Sequence, residues 1–325
     1  MSTTGLQFGR TASLIVTGKG GGAGLDLSDL SSSSEGLRFR FEILASDIQT
    51  PNIATIRIYN LSEETTREVI SEYSTVILNA GYKFNSSLIF KGDVKQYRRG
   101  KERNTDSFLD IYAADGDQAY NFSTVNASLS NATPQTVVQT LADSMGLPLD
   151  VNALGYLTEQ NFPFPRGKVM FGLARDYFRD IADTNNLRWS IQNGVITLIP
   201  ITGYLPGQAV QINSQTGMIG SPEATEQGVT VQCLLNPLIR IGTAIQLNSK
   251  DITATTIKEQ NFPGYTDLTY VAKVESTAPD GYYRAVVVEH RGDTRDQEWY
   301  TKVTCLLIDK SSPANNSVAP YCIPQ

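Results

Sequence analysis

Ile53-Ala-Thr-Ile-Arg-Ile-Tyr-Asn60 is a strand-like run, followed by Thr75-Val-Ile-Leu-Asn-Ala-Gly-Tyr82 and by a long hairpin candidate from Ile89 to Ala113 with a polar tip. The succession returns near the other end of the chain. Val229-Thr-Val-Gln-Cys-Leu-Leu-Asn236 is followed by Thr243-Ala-Ile-Gln-Leu-Asn-Ser249 and by a second hairpin candidate from Tyr270 to Glu289. Two similar β modules around a different middle segment point to a scaffold that builds rings or tubes, not to an enzyme cleft.

The flanking sequence agrees with a β-rich chain. Ala12 to Thr17 reads as a strand, and Leu37-Arg-Phe-Arg-Phe-Glu-Ile43 alternates apolar and charged residues, as a strand with one wet face does. Ser62 is placed to cap a short helix whose first turn carries Glu63 and Glu64. The glycine run Gly18 to Gly24 lacks the Gly-Lys-Ser/Thr order of a phosphate-binding loop and reads as a turn.

The texture changes near Asp117. Thr133-Pro134 starts a helix carrying Val137, Val138, Leu141 and Met145 on one face and ending near Gly146. A second helix is expected from Val169 to Asn185, with Phe171, Leu173, Ala174, Tyr177, Phe178 and Ile181 buried. Asn193-Gly194 between two apolar runs marks a hairpin. The expected fold is therefore mainly β with an α+β insert. The domains run 1–115, 116–204 (one unit or two subdomains) and 205–308, with a polar C-terminal tail at 309–325.

At 325 residues the chain can build two or three cores, and its net charge of -6 argues against a general nucleic-acid surface. No apolar run reaches membrane-spanning length, and the first ten residues lack a secretory signal, so cytoplasmic synthesis is expected. Cys233, Cys305 and Cys322 form neither a disulfide framework nor a metal motif. Cys233 and Cys305 read as small buried hydrophobes, and a Cys305–Cys322 bridge is disfavoured in a reducing compartment.

Candidate chemistry is thin. His290, the one histidine, has no nucleophile placed by spacing. Arg291-Gly-Asp293 beside it matches an adhesion tripeptide but reads as a turn at a strand end. Glu63-Glu64 and Asp115-Gly-Asp117 are adjacent carboxylates, not a catalytic pair, and Asp176 and Asp180 alternate with Arg175 and Arg179 as a salt-bridged helix exterior does. No catalytic, cofactor or metal residue is assigned. The exception to the sparse charge is a basic tract, Lys95, Arg98, Arg99, Lys101 and Arg103. It is expected on a mobile hairpin tip, where it either contacts an acidic partner or is simply solvated.

Several stretches together resemble a known family, the baseplate central hub proteins of tailed, above all contractile-tailed, bacteriophages. They are Pro51 to Leu61, Val76 to Tyr82 with Ile89-Phe-Lys-Gly-Asp93, Gly217-Met-Ile-Gly-Ser-Pro-Glu223, Gly228 to Pro237 and Tyr282 to Thr294. The resemblance implies two related β-barrel-like tube domains per subunit and a homotrimer closing a pseudo-sixfold ring. Such a ring joins a sixfold tail tube to a threefold central spike and leaves a channel for DNA. The partners implied are the tail tube or tube-initiator protein, the spike, baseplate wedge or arm proteins and the tape measure protein. No cofactor and no sequence-specific nucleic-acid binding are expected, and the location is the virion tail baseplate after assembly in the host cytoplasm. The competing class is a host-attachment or carbohydrate-binding module, which needs an exposed aromatic platform at Trp189 or Trp299. A peptidoglycan hydrolase lacks its carboxylate arrangement here, and a nucleic-acid enzyme has still less to support it.

Overall fold

The computed structural model describes residues 7, 9–18, 24–29, 36–102, 105–157, 162–225, 228–247, 253–254 and 281–307. Arg103, Cys322, the tail at 309–325, most of the glycine run, and residues 270–280 lie outside them. The first β region comprises β1 (Arg10–Gly18), β2 (Leu25–Asp29), β3 (Phe39–Ser46), β4 (Ile53–Tyr59), α1 (Glu63–Glu72), β5 (Tyr73–Tyr82), β6 (Asn85–Glu102) and β7 (Asp106–Ala114). The insert holds α2 (Asp117–Phe122), β8 (Thr124–Leu129), α3 (Pro134–Met145), β9 (Lys168–Leu173), α4 (Ala174–Thr184), β10 (Leu187–Gln192) and β11 (Val195–Pro200). The second β region has β12 (Val210–Ile212), β13 (Met218–Thr225), β14 (Gly228–Leu234), β15 (Ala244–Leu247), β16 (Thr253–Ala254), β17 (Tyr282–Asp293) and β18 (Trp299–Leu307).

Local chemistry explains these elements. In β3 the apolar Phe39, Phe41 and Ile43 are buried while Arg40 and Glu42 face solvent, as the alternation requires. The Ser62 hydroxyl accepts from the Thr65 amide at 3.0 Å and caps α1. Thr133 and Thr136 form a reciprocal capping box at the start of α3, with Pro134 just inside. Asn193 and Gly194, at φ 56° and 79°, make the tight turn between β10 and β11.

The two β regions are not separate sheets. They form one sheet of fourteen strands, ordered β16-β13-β14-β18-β17-β3-β4-β7-β6-β5-β1-β2, with β15 beside β17 and β12 beside β15. The weld between the regions is β17 on β3, antiparallel over seven residue pairs from Val287↔Ser46 to Asp293↔Arg40.

Within this sheet one topology occurs twice. The order β3-β4-β7-β6-β5 in the first region is matched by β13-β14-β18-β17-β15 in the second, antiparallel at every step. The repeat extends to detail. β6 bulges between Val94 and Gln96, opposite Ala113 and Tyr112. β17 bulges between Ala285 and Val287, opposite Cys305 and Thr304. Ala113 stands opposite Ala54 on β4, and Cys305 opposite Val229 on β14, all of them buried. The two bulges therefore fall at the same place in both copies.

Three apolar cores result. One gathers the inward faces of β1, β3, β4, β5 and β7, a second fills the insert between α3, α4 and β10–β11, and a third lies under β14, β15, β17 and β18. Trp299 and Leu235, from the second region, belong to the first core. Trp299 meets Phe41 edge-on at 5.5 Å and donates its indole N–H to the Gly81 carbonyl at 3.3 Å.

Two sequence expectations need correction. From Tyr97 to Glu102 the tract is strand, not loop: β6 stays paired with β7 out to Glu102↔Asp106, and Tyr97 packs onto the first core. The helix expected from Val169 begins at Ala174. Residues 168–173 are β9, paired with β8, and Phe171 is 77% exposed where burial was expected. A strand that turns directly into a helix disguised its period-two alternation. The counterpart of the β6–β7 hairpin is β17–β18; of the Tyr270–Glu289 hairpin candidate, the part up to residue 280 lies outside the described residues.

Candidate assembly interface

Strand β6 carries the basic tract, and the structure disperses it. The Lys95 ammonium lies 3.0 Å from an Asp117 carboxylate oxygen, and the Arg99 guanidinium 2.7 Å from Glu63 on α1. Arg98 and Lys101 are exposed and have no ion pair among the described residues, and the pleat directs them to opposite faces of the strand. Arg103 is outside the described residues. The sequence thus gives the composition of this surface but not its division into paired and open charges.

A polar row crosses the outer face of the sheet through the same region. Asp293, Arg40, Arg57, Asp110 and Arg98 lie opposite one another across β17, β3, β4, β7 and β6. Asp110, 1% exposed, accepts from Arg57 at 2.6 and 3.0 Å, and this bond raises the Arg57 pKa against the cost of its partial burial. Asp293 accepts from Arg38 at 2.7 Å, so the apparent adhesion tripeptide is sheet, with its aspartate buried. Gly292 within it stands between rings: a Cβ there would lie 2.4 Å from Phe41 and 2.8 Å from Trp299.

The insert is held to the sheet by buried polar groups. Asp115 accepts from the Gly194 amide at 2.8 Å and from the Asn193 amide, while the Lys91 amide donates to the Asn193 side chain at 3.2 Å. Burial pushes the Asp115 carboxyl up to about 7, although those two amides oppose it. The Asn52 side chain donates to the Ile191 carbonyl at 3.0 Å. Arg284, on β17, donates to the carbonyls of Pro200 and Ile201 at 2.8 and 2.7 Å and to Asp47 at 3.1 Å. Nothing in the sequence signalled Asn52, Asp115 or Arg284 as a group, since their partners are backbone atoms far along the chain.

The remaining candidates are structural. His290 is buried, its Nδ1 lies 2.9 Å from the Thr301 hydroxyl, and burial lowers its pKa to about 4. Cys233 and Cys305 are buried free thiols, both raised by burial, Cys233 to about 12. Asp176 pairs with Arg179 on the helix exterior. Trp189 and Trp299 are each 1% exposed, which removes both as a carbohydrate platform, and Trp189 stacks between Phe178 and Tyr120. Among the described residues no cluster of metal-ligating side chains occurs, and no helix is long and apolar enough to cross a membrane.

Residues 23–252 match the family described as baseplate hub gp41. Among solved structures, the 43 kDa tail protein of prophage MuSo2 from Shewanella oneidensis aligns at a TM-score of 0.56. The identity is 8%, over 91% of this chain and 97% of that one. The tail protein from Neisseria meningitidis MC58 aligns at 0.54 with 10% identity, over 92% and 97%. At these identities the likeness is one of fold. No protein with a curated description is similar enough in sequence to count as a relative. The match runs through the first β region and the insert into the second β region, and the chain belongs to the baseplate hub gp41 family of phage tail proteins.

Proposed function

We propose that this baseplate hub protein works as a homotrimer whose paired β modules close a pseudo-sixfold ring between the sixfold tail tube and the threefold central spike, with a channel for DNA. The observation that carries the reading is the doubled strand order, welded through β17 and β3 into one sheet. A chain holding two copies of one topology presents two similar surfaces per subunit, and closed symmetric assembly of three such chains doubles the apparent symmetry. The working domains are 1–115 and 205–308 as barrel-like ring units, 116–204 as a peripheral brace toward wedge or arm proteins, and 309–325 as a tail. Within the tract of Lys95, Arg98, Arg99, Lys101 and Arg103, the charges not paired inside the chain would meet acidic neighbours on either face of β6, a tube, tube-initiator or spike subunit, with the tape measure protein as a further contact. The role is structural rather than enzymatic, in the tail of a contractile virion assembled in the cytoplasm. The experiment is the mass in solution over a concentration series, alone and with a spike protein, followed by averaged electron images. A trimer with a central opening is expected, and a monomer that persists with the spike present overturns the reading.

A further inference from the structure

The repeat is unequal in one place. In the second module β17 is flanked on both edges along nearly its whole length. β18 lines one edge; β15 lines the other over Tyr282–Arg284, and β3 continues it over Val287–Asp293. The counterpart of β17 is β6. It has β7 on one edge, and β5 on the other only from Asn85 to Asp93. Beyond its bulge, from Gln96 to Glu102, that second edge has no strand beside it among the described residues.

The counterpart of β3 is β13, and it is the other half of the inequality. One edge of β13 pairs with β14, and the other meets, among the described residues, the two-residue β16 at Glu223 and Ala224. Ile219 on this strand is 40% exposed. So the positions that meet inside the chain as β17 and β3 occur a second time as β6 and β13. There they stay apart, with β14, β18, β17, β3, β4 and β7 between them.

We propose that β6 of one copy takes up β13 of a second copy along Gln96–Glu102, repeating between chains the seam that β17 and β3 make within one. This rests on the ring reading above: internal and external seams in alternation join modules end to end around a closed circle. The external seam displaces the two residue pairs that β16 makes with β13.

The registers carry across the repeat, save that β13 holds three residues between Ile219 and Glu223 where β3 holds one between Arg40 and Glu42. Glu42 lies opposite Thr55, and Glu223 opposite Thr230, at equivalent places on β3 and β13. Arg40 opposite Arg57 corresponds to Ile219 opposite Gln232. In the internal seam Arg291 lies beside Glu42 and Asp293 beside Arg40. The external seam therefore sets Gly100 beside Glu223 and Glu102 beside Ile219. Arg291 reaches Glu42 at 2.7 Å. Gly100 cannot do this for Glu223, but Arg98, two residues away on the same face, is diagonal to it and within reach of a long side chain. The exposed charges of β6 would also keep its open edge from indiscriminate pairing, leaving a strand with a matching acid as the favoured partner.

The test mixes two singly substituted full-length chains in a Cys322→Ser background, Glu102→Cys and Ile219→Cys, under mild oxidation. A covalent dimer carrying one chain of each kind is expected, absent from either variant alone. A second measurement uses charge. Arg98→Glu and Glu223→Arg are each expected to weaken self-association by about tenfold, and the two together on one chain to restore it. A trimer by light scattering with no cross-link, and with the charge variants silent, overturns the β6–β13 seam and leaves the ring standing. A monomer throughout, with no cross-link, overturns both.

Discussion

Two attachments hold this molecule together, and they are built from different materials. The seam of β17 on β3 is a backbone ladder backed by large buried rings, with Trp299 crossing from one module into the core of the other. The insert meets the sheet through a few buried polar groups, Asp115, Asn52 and Arg284, each aimed at backbone atoms. A ladder over apolar packing resists in proportion to its area and tolerates small changes. A polar anchor depends on each bond, because every partner left unmade stays buried and unsatisfied. The modules are therefore fused, while the insert is docked.

The largest effect should come from the seam. Trp299→Ala removes a fully buried ring and is expected to cost about 3 to 5 kcal/mol in urea unfolding. If the loss is confined to the second module and the first core is untouched, the fused description fails.

Acidity should separate the two attachments by sign. His290 is held neutral in the seam, with its pKa lowered to about 4, so seam stability is full above pH 6.5 and falls as pH drops toward 4. Asp115 has its carboxyl raised to about 7. Its ionisation therefore weakens the docking as pH rises from about 4 to 7, by roughly 2 to 4 kcal/mol at most. Proteolysis of the insert should increase toward pH 8 in the parent chain and lose that trend in Asp115→Asn. An insert that loosens on acidification would reverse the assignment.

Arg284→Met removes the guanidinium donor from the Ile201 carbonyl and from the Pro200 carbonyl, which keeps the Gly203 amide, and is expected to cost about 2 kcal/mol, seen as faster exchange of amides in β10 and β11. Gly292→Ala forces a methyl against Phe41 and Trp299 and should cost about 1 to 3 kcal/mol, read as a lowered Tm. Smallest of all is Arg99→Gln. Its pair with Glu63 is half exposed, and unfolding should shift by no more than about 0.5 kcal/mol. A larger loss would give the basic strand a folding role that its exposure does not suggest.

Much of this comparison was legible in the chain. Alternation located β3, β4, β5 and β14, and the Asn-Gly step located the β10–β11 turn, because these are local consequences of pleat and turn geometry. The duplicated pattern was also visible, but not the hairpin that completes its second copy. β9 was hidden because six strand residues run straight into the apolar face of α4. The seam itself left no local mark, since β17 and β3 are more than two hundred residues apart and nothing in either run names the other. The docking groups were equally silent: Asp115 looked like half of a surface carboxylate pair until the fold brought Asn193 and Gly194 over it.

The seam has a mechanical consequence. Its seven residue pairs run antiparallel along the strands. A pull along the strand direction loads all of its hydrogen bonds together, in shear. A pull across the strands opens them one after another, as a zip does. The joint between the modules is thus stiff along one axis and yielding along another, and the direction in which a tail delivers its force decides which of the two it meets.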